Sequence, residues 1–344
     1  MRKIRFLIPF LLLLPMGSAA GDGAPGSRYD RHVERFGFFD NSEVQSPYQF
    51  SGTYFGTRLS ADWGLQLAGS TIAAGGYVVK DFGQRGISAS DWTLYYRYQG
   101  SRFSGAFGSF PRRLLLRELP DVFVDEALRY YTPNLGGALI QYQSRRASIE
   151  LYCDWLSRQS PTEREIFEIV SDGEWSVSGA VRLGYNARLT HFSVRKGITP
   201  DKVYDKLMLN PHLTYSGGAS SRCYYRLTMG LMTSLNRDRT DKVWKSPYGM
   251  LCDATLGIPF ARSSAAIELR YRGYHGDPLM SDYELYGTLL HRGDPYYRSP
   301  QYDRADVSAI LLRNSHVDCR VTASFHFTEG VMDNSQQIHV RLLF

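Results

Sequence analysis

The chain has 344 residues and a formal net charge of +6, with 14% aromatic residues and 32 glycines. After the first twenty residues, no apolar stretch reaches the length of about twenty that a membrane-spanning helix needs. The composition therefore excludes a bundle of transmembrane helices and favours many strands joined by turns. Metal-ligand clusters, phosphate-binding glycine loops and nucleic-acid modules are absent from the sequence, so we expect no cofactor and no nucleic-acid partner.

The amino-terminal segment differs from the rest of the chain. Arg2, Lys3 and Arg5 precede an apolar run over 6–15, and small residues follow at 17–20. A run of this length is too short to span a membrane and is typical of a cleaved signal peptide. We predict a signal peptide at 1–20, a flexible lead-in at 21–31 and one folded domain at 32–344.

Alternating residues predict a β-protein throughout that domain. At 317–328, one face carries apolar residues such as Val321 and Phe325, and the other carries polar residues such as Arg320 and Ser324. The same pattern predicts strands at about 54–68, 71–82, 90–99, 102–110, 136–144, 147–157, 165–175, 180–194, 206–216, 221–235, 246–260, 263–275, 303–313, 317–328 and 337–344.

The connections between these strands alternate between short and long, as they do in transmembrane barrels. Connections near 69, 100 and 145 are short, whereas those at 111–135 and 276–302 are long. Because a single-chain barrel has an even number of strands, a first strand is expected before residue 50. The candidate is about 32–40, which alternates poorly. We predict an all-β, antiparallel up-and-down transmembrane β-barrel of about 16 strands, with 14 as the alternative.

A secreted soluble β-sandwich is the competing fold. In such a sandwich the second face of each strand would form a dry core, which does not accommodate unpaired charges. Long charged side chains recur on that face, so a wide barrel with an aqueous interior fits better.

The last strand ends on the aromatic residue Phe344, as in the outer-membrane β-barrel proteins of Gram-negative bacteria, which the chain resembles. Several short stretches also resemble uncharacterised outer-membrane proteins of the Bacteroidota: 39–41, 46–48, 53–56, 110–113 and 154–159. The resemblance implies a location in the cell outer membrane, contact with outer-membrane lipid and help from the barrel-assembly machinery. It implies no activity.

Four cysteines would suggest disulfides in an exported protein. Alternation places Cys153, Cys223, Cys252 and Cys319 on the apolar face. We therefore expect thiols that act as small apolar groups.

Arginines dominate the predicted inward face. The inward acids are expected to be Glu150, Asp154, Asp253, Glu268, Asp306 and Asp318, and the inward basic residues are Arg97, Arg182, Arg188, Arg222, Arg226, Arg270, Arg272, Arg304, Arg320 and Arg341. This surplus predicts a pore lining that favours anions. Cross-strand ion pairs that fill the lumen are the alternative.

The connection from Pro111 to Asn134 is long and rich in leucine, so we expect it to fold into the barrel mouth. As a constriction it would present Arg112, Arg113 and Arg117 to a passing solute. The loop over 276–300 holds four tyrosines and is interpreted as a surface loop that could contact a sugar or a protein.

One polar pair suggests an enzyme. If the last hairpin turns near 331, Ser324 lies opposite His339, with His326 diagonal to both, as a nucleophile and its base would. No acid is placed to orient the histidine, so these are weak catalytic candidates.

Three functions therefore remain open from the sequence. The first is a porin-like channel for small hydrophilic solutes, anions among them. The second is a surface-exposed binding or structural barrel with a plugged lumen, and the third is an outer-membrane hydrolase.

Overall fold

The computed structural model describes residues 27–198, 201–218, 223–260 and 264–344. The predicted signal peptide and Arg222 lie outside these residues. No helix in the described part of the chain is long and apolar enough to cross a membrane.

Sixteen strands pair antiparallel in one closed sheet, and a short strand, β12, lies in a loop beside β11. The strands are β1 Ser27–Glu43, β2 Gly52–Leu67, β3 Ser70–Asp81, β4 Ala89–Gln99, β5 Phe103–Pro111, β6 Asn134–Gln143, β7 Ala147–Ser157, β8 Arg164–Ser176, β9 Val181–Arg195, β10 Tyr204–Gly217, β11 Tyr224–Asp238, β12 Val243–Lys245, β13 Tyr248–Pro259, β14 Ala266–Gly276, β15 Gln301–Arg313, β16 Val317–Thr328 and β17 Val331–Leu343. The predicted sixteen-stranded barrel is confirmed, and the alternative of fourteen strands is wrong.

Pairing of β1 with both β2 and β17 closes the barrel. Phe344 continues this pairing, because its backbone N–H donates to the carbonyl of Val33 over 2.9 Å. In the described part of the wall, closure gives each of the sixteen strands a paired neighbour on both sides, as a wall in lipid requires.

The first strand is longer than predicted. Residues 27–31 pair with 63–67 of β2, so the expected flexible lead-in at 21–31 is wrong over its second half. The alternation of β1 is poor because Phe36 and Phe38 point into the barrel, where they are 6% and 2% exposed. Phe38 stacks there on Tyr130 with ring centroids 4.7 Å apart.

The wall is apolar outside and polar inside. Outward side chains such as Ile72, Trp92 and Phe107 are more than half exposed, whereas inward ones such as Asp154 and Arg304 are buried. This distribution is typical of a barrel surrounded by lipid. Cys153, Cys252 and Cys319 form no disulfide, and the strand alternation places them outward, as predicted.

The two ends of the barrel differ. At the turn end, short connections such as 68–69, 100–102 and 144–146 join the strands, and at the loop end the connections are mostly longer. The β16–β17 connection is an exception. It is a two-residue turn at the loop end, with Glu329 and Gly330 both at positive φ, as in tight hairpins.

Two long loops at the loop end contain the helical segments. Loop A, residues 112–133, contains a 3₁₀ turn at Arg112–Leu114 and helix α1 at Glu126–Tyr131. Loop B, residues 277–300, contains helix α2 at Tyr283–Tyr286 and 3₁₀ turns at Gly287–Leu289 and Pro295–Arg298.

Candidate functional site

Loops A and B both fold into the barrel and pack on each other. Val122 and Phe123 of loop A and Leu279 and Tyr297 of loop B are buried in one cluster, which also includes wall residues such as Tyr274. Burying these side chains provides the free energy that holds irregular chain inside the barrel. The inward fold predicted for 111–134 is thus present, and loop B, interpreted as a surface loop, folds inward as well.

Backbone hydrogen bonds join the two loops directly. The Asp125 N–H donates to the carbonyl of Arg292 over 2.7 Å, and the Asp294 N–H donates to the carbonyl of Asp121 over 2.8 Å. Gly293 lies between these bonds, and a Cβ atom there would overlap the carbonyl oxygen of Val122. Only glycine therefore permits this close approach of the two chains.

Three arginines tether loop A to the wall. Arg113 lies 2.6 Å from a carboxylate oxygen of Asp62, and Arg112 lies 3.4 Å from Asp154. The third, Arg117, donates from Nε to Asp172 over 2.6 Å. The three arginines of the predicted constriction therefore hold loop A against the wall, because each of their charges is paired with a wall carboxylate.

Asp121 also tethers loop A, and its side chain is more buried than those of the three arginines. Its carboxylate pairs with Arg272 of β14, lies 2.9 Å from Arg129 and lies 3.7 Å from Arg304 of β15. Asp306 pairs with the same two wall arginines. Loop A thus supplies one of the two carboxylates that neutralise a buried group of arginines.

Asp125 makes the contact between the loops sensitive to pH. Burial, together with the nearby carboxylates of Asp294 and Glu126, raises the pKa of Asp125 from its usual 3.8 to about 7. Between about pH 4 and pH 7, the Asp125 carboxyl is therefore protonated when the loops are docked and ionised when they are undocked. The free energy of docking should become less favourable as the pH rises through that interval, and this loss should be complete above about pH 7.

Asp125→Asn should flatten this dependence, because the variant side chain cannot ionise. Amide hydrogen exchange of residues 121–126, corrected for intrinsic rates and followed from pH 4 to pH 8, measures the effect. Glu118→Gln is the matched control, since the Glu118 side chain is 82% exposed and its loss should leave the wild-type slope. An unchanged slope in Asp125→Asn would show that another group controls docking.

Beneath loop A lies a lumen cavity with a volume of about 500 Å³, which we call cavity 1. Its lining carries more arginines than carboxylates. The carboxylates are Glu34, Asp62, Glu118, Glu126, Glu268, Asp306 and Asp318, and the arginines are Arg58, Arg112, Arg113, Arg117, Arg129, Arg270, Arg272, Arg304, Arg320 and Arg341.

A second space, cavity 2, of about 300 Å³, adjoins it on the side of β8–β13. The two cavities share loop-A residues 117–119 and wall residues Arg270 and Arg272 in their linings. Together they form a basic space around the inner surface of loop A.

The predicted pore-lining arginines have different environments. Arg320 lines cavity 1, Arg226 lines cavity 2, and Arg270 and Arg272 line both. Arg188 is buried 3.7 Å from Glu168, and Arg182 lines neither cavity among the residues that the structure describes.

Sequence reasoning missed several inward acids. Glu34, Asp40, Asp62, Glu168 and Asp172 are all buried in the lumen. These acids offset part of the positive surplus expected along the lumen, whereas the lining of cavity 1 keeps more arginines than carboxylates. The acids of β1 and β8 escaped notice because aromatic or apolar residues share their face.

The structure does not bring the candidate catalytic pair together. Because the hairpin turns at 329–330, Ser324 lies opposite Ser335, and His339 lies opposite Arg320. Ser324 is fully buried and accepts a hydrogen bond from Arg304, while His339 contacts the Tyr130 hydroxyl at 3.0 Å. The expected opposition of Ser324 and His339 is wrong by four residues in register.

His326, expected on the diagonal, lies opposite Asp333 and contacts the Tyr302 hydroxyl through Nδ1 at 2.9 Å. These contacts fix its ring in a buried aromatic cluster with Tyr296. No group of acids, histidines and cysteines in the described ranges could hold a metal ion.

A closed antiparallel barrel with an apolar exterior, a charged lumen and an inward loop defines the fold of outer-membrane porins. Solved structures share it. An anion-selective porin from Comamonas acidovorans aligns with a TM-score of 0.58 at 9% identity over 92% of this chain and 100% of that one. The outer membrane protein OprD from Pseudomonas aeruginosa aligns at 0.55 and 9% identity over 92% and 94%. The outer membrane channel DcaP of Acinetobacter baumannii aligns at 0.51 and 11% over 94% and 99%.

A family model described as lipid A 3'-O-deacylase-type matches residues 25–194. The matched part covers β1 to most of β9 and includes loop A. No functionally curated protein matches the chain in sequence.

Proposed function

We propose that the protein is an outer-membrane channel for small hydrophilic solutes, with a preference for anions. The observation that carries this proposal is the arginine surplus that lines cavity 1 inside a wide, closed barrel. In a confined aqueous space, such a surplus raises the local concentration of anions and disfavours cations. The fold shared with porins supports the same function.

We also propose how the chain reaches the outer membrane. Residues 1–20 direct export, the barrel-assembly machinery inserts the chain, and outer-membrane lipid surrounds the apolar exterior. Loops A and B then narrow the passage at the loop end, so that solutes pass beside loop A through cavities 1 and 2.

Conductance across a planar bilayer tests the channel. Purified, folded protein should give stable openings whose reversal potential in a KCl gradient shows anion preference. Arg320→Glu combined with Arg341→Glu should lower the chloride-to-potassium permeability ratio by roughly threefold or more, because the local surplus of positive charge disappears.

Arg85→Glu is the control for this change. Arg85 is exposed in the connection between β3 and β4 and is outside the cavity lining, so its reversal should leave the ratio near the wild-type value. A folded protein that stays silent would contradict the channel and favour a binding or structural barrel with a plugged lumen.

A second candidate is a lipid A deacylase, which the matching family model favours. Such an enzyme must present its catalytic groups to lipid, so Ser324, fully buried in the lumen, is unsuited. A better candidate in the matched part is His191, on the outer face of β9. Its Nδ1 lies 2.8 Å from a carboxylate oxygen of Asp205, an arrangement that can orient a general base.

Mass spectrometry of lipid A incubated with the protein in vesicles tests this candidate. Release of fatty acid that is lost in His191→Gln would support it. The matched control is His275→Gln, which removes an outward histidine 3.1 Å from Asp303 but beyond the matched residues. Absence of release from folded wild-type protein would end the idea.

A further inference from the structure

Cavity 1 contains an apolar surface that a channel for inorganic ions does not need. Leu115, Leu116 and Val124 of loop A line it, and each is only partly buried. Apolar side chains facing water forgo about 25 cal/mol for every Å² left uncovered. Leu115 and Val124 pack with part of their surface against the buried cluster that holds Val122 and Phe123, and the rest of their surface, like that of Leu116, faces the cavity.

Arginines with incompletely used donors line the same cavity. The side chains of Arg320 and Arg341 are 33% and 41% exposed, and their nearest carboxylate oxygens lie at 3.3 and 3.7 Å. These distances are longer than those of a strong charge-assisted hydrogen bond. The buried Nε atom of Arg341 has no hydrogen-bond partner. Both guanidinium groups thus retain donors for an additional anion.

Aromatic packing fixes part of this arginine group. Phe36 lies between two guanidinium groups, with that of Arg58 at 5.1 Å and that of Arg341 at 5.3 Å from its ring centroid. Glu34 lies 2.8 Å from Arg58 and 3.7 Å from Arg341, so one carboxylate serves two arginines. A held, planar guanidinium suits recognition of a carboxylate better than a mobile lysine does.

We propose that cavity 1 is a binding site for a small organic anion that combines a carboxylate with an aliphatic body. The carboxylate binds at Arg320 and Arg341, and the body packs on Leu115, Leu116 and Val124. The volume of about 500 Å³ lies in the range of small-molecule sites, which are typically about 300–1,000 Å³. The inference rests on the proposed channel, since it names the class of solute that the passage takes.

Isothermal titration of folded protein in detergent tests the site without requiring conductance. The probes are hexanoate, acetate, hexanamide and inorganic phosphate, each also titrated into detergent alone. Hexanoate should bind saturably and roughly tenfold or more tighter than acetate, because its additional methylenes are removed from water. Hexanamide and phosphate should each bind more weakly than hexanoate, because hexanamide lacks the negative charge and phosphate lacks the aliphatic body.

Variants then separate the two halves of the site. Arg341→Gln should weaken hexanoate and acetate alike by roughly tenfold, whereas Leu116→Asn should weaken hexanoate alone. Arg97→Gln is the matched control, because this inward arginine is outside the cavity lining and its loss should change neither affinity. Heat-modifiable migration on a gel confirms that each variant is folded.

The outcomes distinguish the site from the channel. Equal affinities for hexanoate and acetate, or wild-type affinity in Arg341→Gln, would overturn the site even if the protein conducts. Binding as expected in a protein that never conducts would uphold the site and refute the channel.

Discussion

Gly293→Ala should separate loop B from loop A and widen the space between them in the lumen. The new Cβ atom would overlap the carbonyl oxygen of Val122, a backbone atom that cannot rotate away. One of the loops must therefore shift, which breaks the hydrogen bonds between them and opens the apolar cluster around Phe123. Overpacking of this kind typically costs about 1–3 kcal/mol, so undocking should become up to about a hundredfold more frequent.

Hydrogen exchange of residues 121–125 and single-channel conductance both measure this effect. Exchange should accelerate, and the openings of the proposed channel should become larger or noisier. Gly179→Ala is the matched control, since nothing lies within 4 Å of the Cβ position there, and it should behave as the wild type. Unchanged exchange in Gly293→Ala would mean that the loops do not depend on each other.

Asp121→Asn should release loop A from the wall. The variant keeps the size of the side chain but removes one of the two carboxylates that neutralise Arg272 and Arg304. Both arginines are buried, at 6% and 3% exposure, so water compensates little for the lost charge. Removing one partner of a buried ion pair typically costs about 3–5 kcal/mol. We expect the free energy of undocking loop A to fall by this amount.

Trypsin cleavage within loop A provides the measurement, because Arg113, Arg117 and Arg129 become accessible only when the loop leaves the wall. Asp253→Asn is the matched control. It also removes an acid partner of an inward arginine, but the Asp253 side chain is 29% exposed, and such pairs contribute about 0–1 kcal/mol. Equal cleavage of both variants would show that the ion network does not hold loop A.

The barrel was predictable from the sequence because lipid and water impose opposite demands on neighbouring residues. Strands such as β15 and β16 alternate clearly, and the first does not because the inward Phe36 and Phe38 pack on Tyr130. An aromatic residue that contacts a loop cannot be distinguished by sequence from one that faces lipid. Strand number was recovered only because connection lengths and closure require a strand there.

The site was predictable in part. Consecutive leucines indicate that loop A is buried. They do not indicate that Arg112, Arg113 and Arg117 each have a wall carboxylate as partner, because these partners lie on strands distant in sequence. The pairing of Ser324 with His339 failed because a two-residue difference in turn position shifts the register by four residues. Loop B was interpreted as a surface loop because its apolar residues are dispersed among tyrosines, glycines and acids.

The partners of loop A have a consequence for the order of assembly. Loop A lies in the first half of the chain, whereas Arg272, Gly293 and Arg304 all belong to the last quarter. Loop A therefore has no complete docking site until the carboxyl-terminal strands are in place, and its leucines stay uncovered until then. A docked loop A, protected from protease, thus reports that the barrel has been completed.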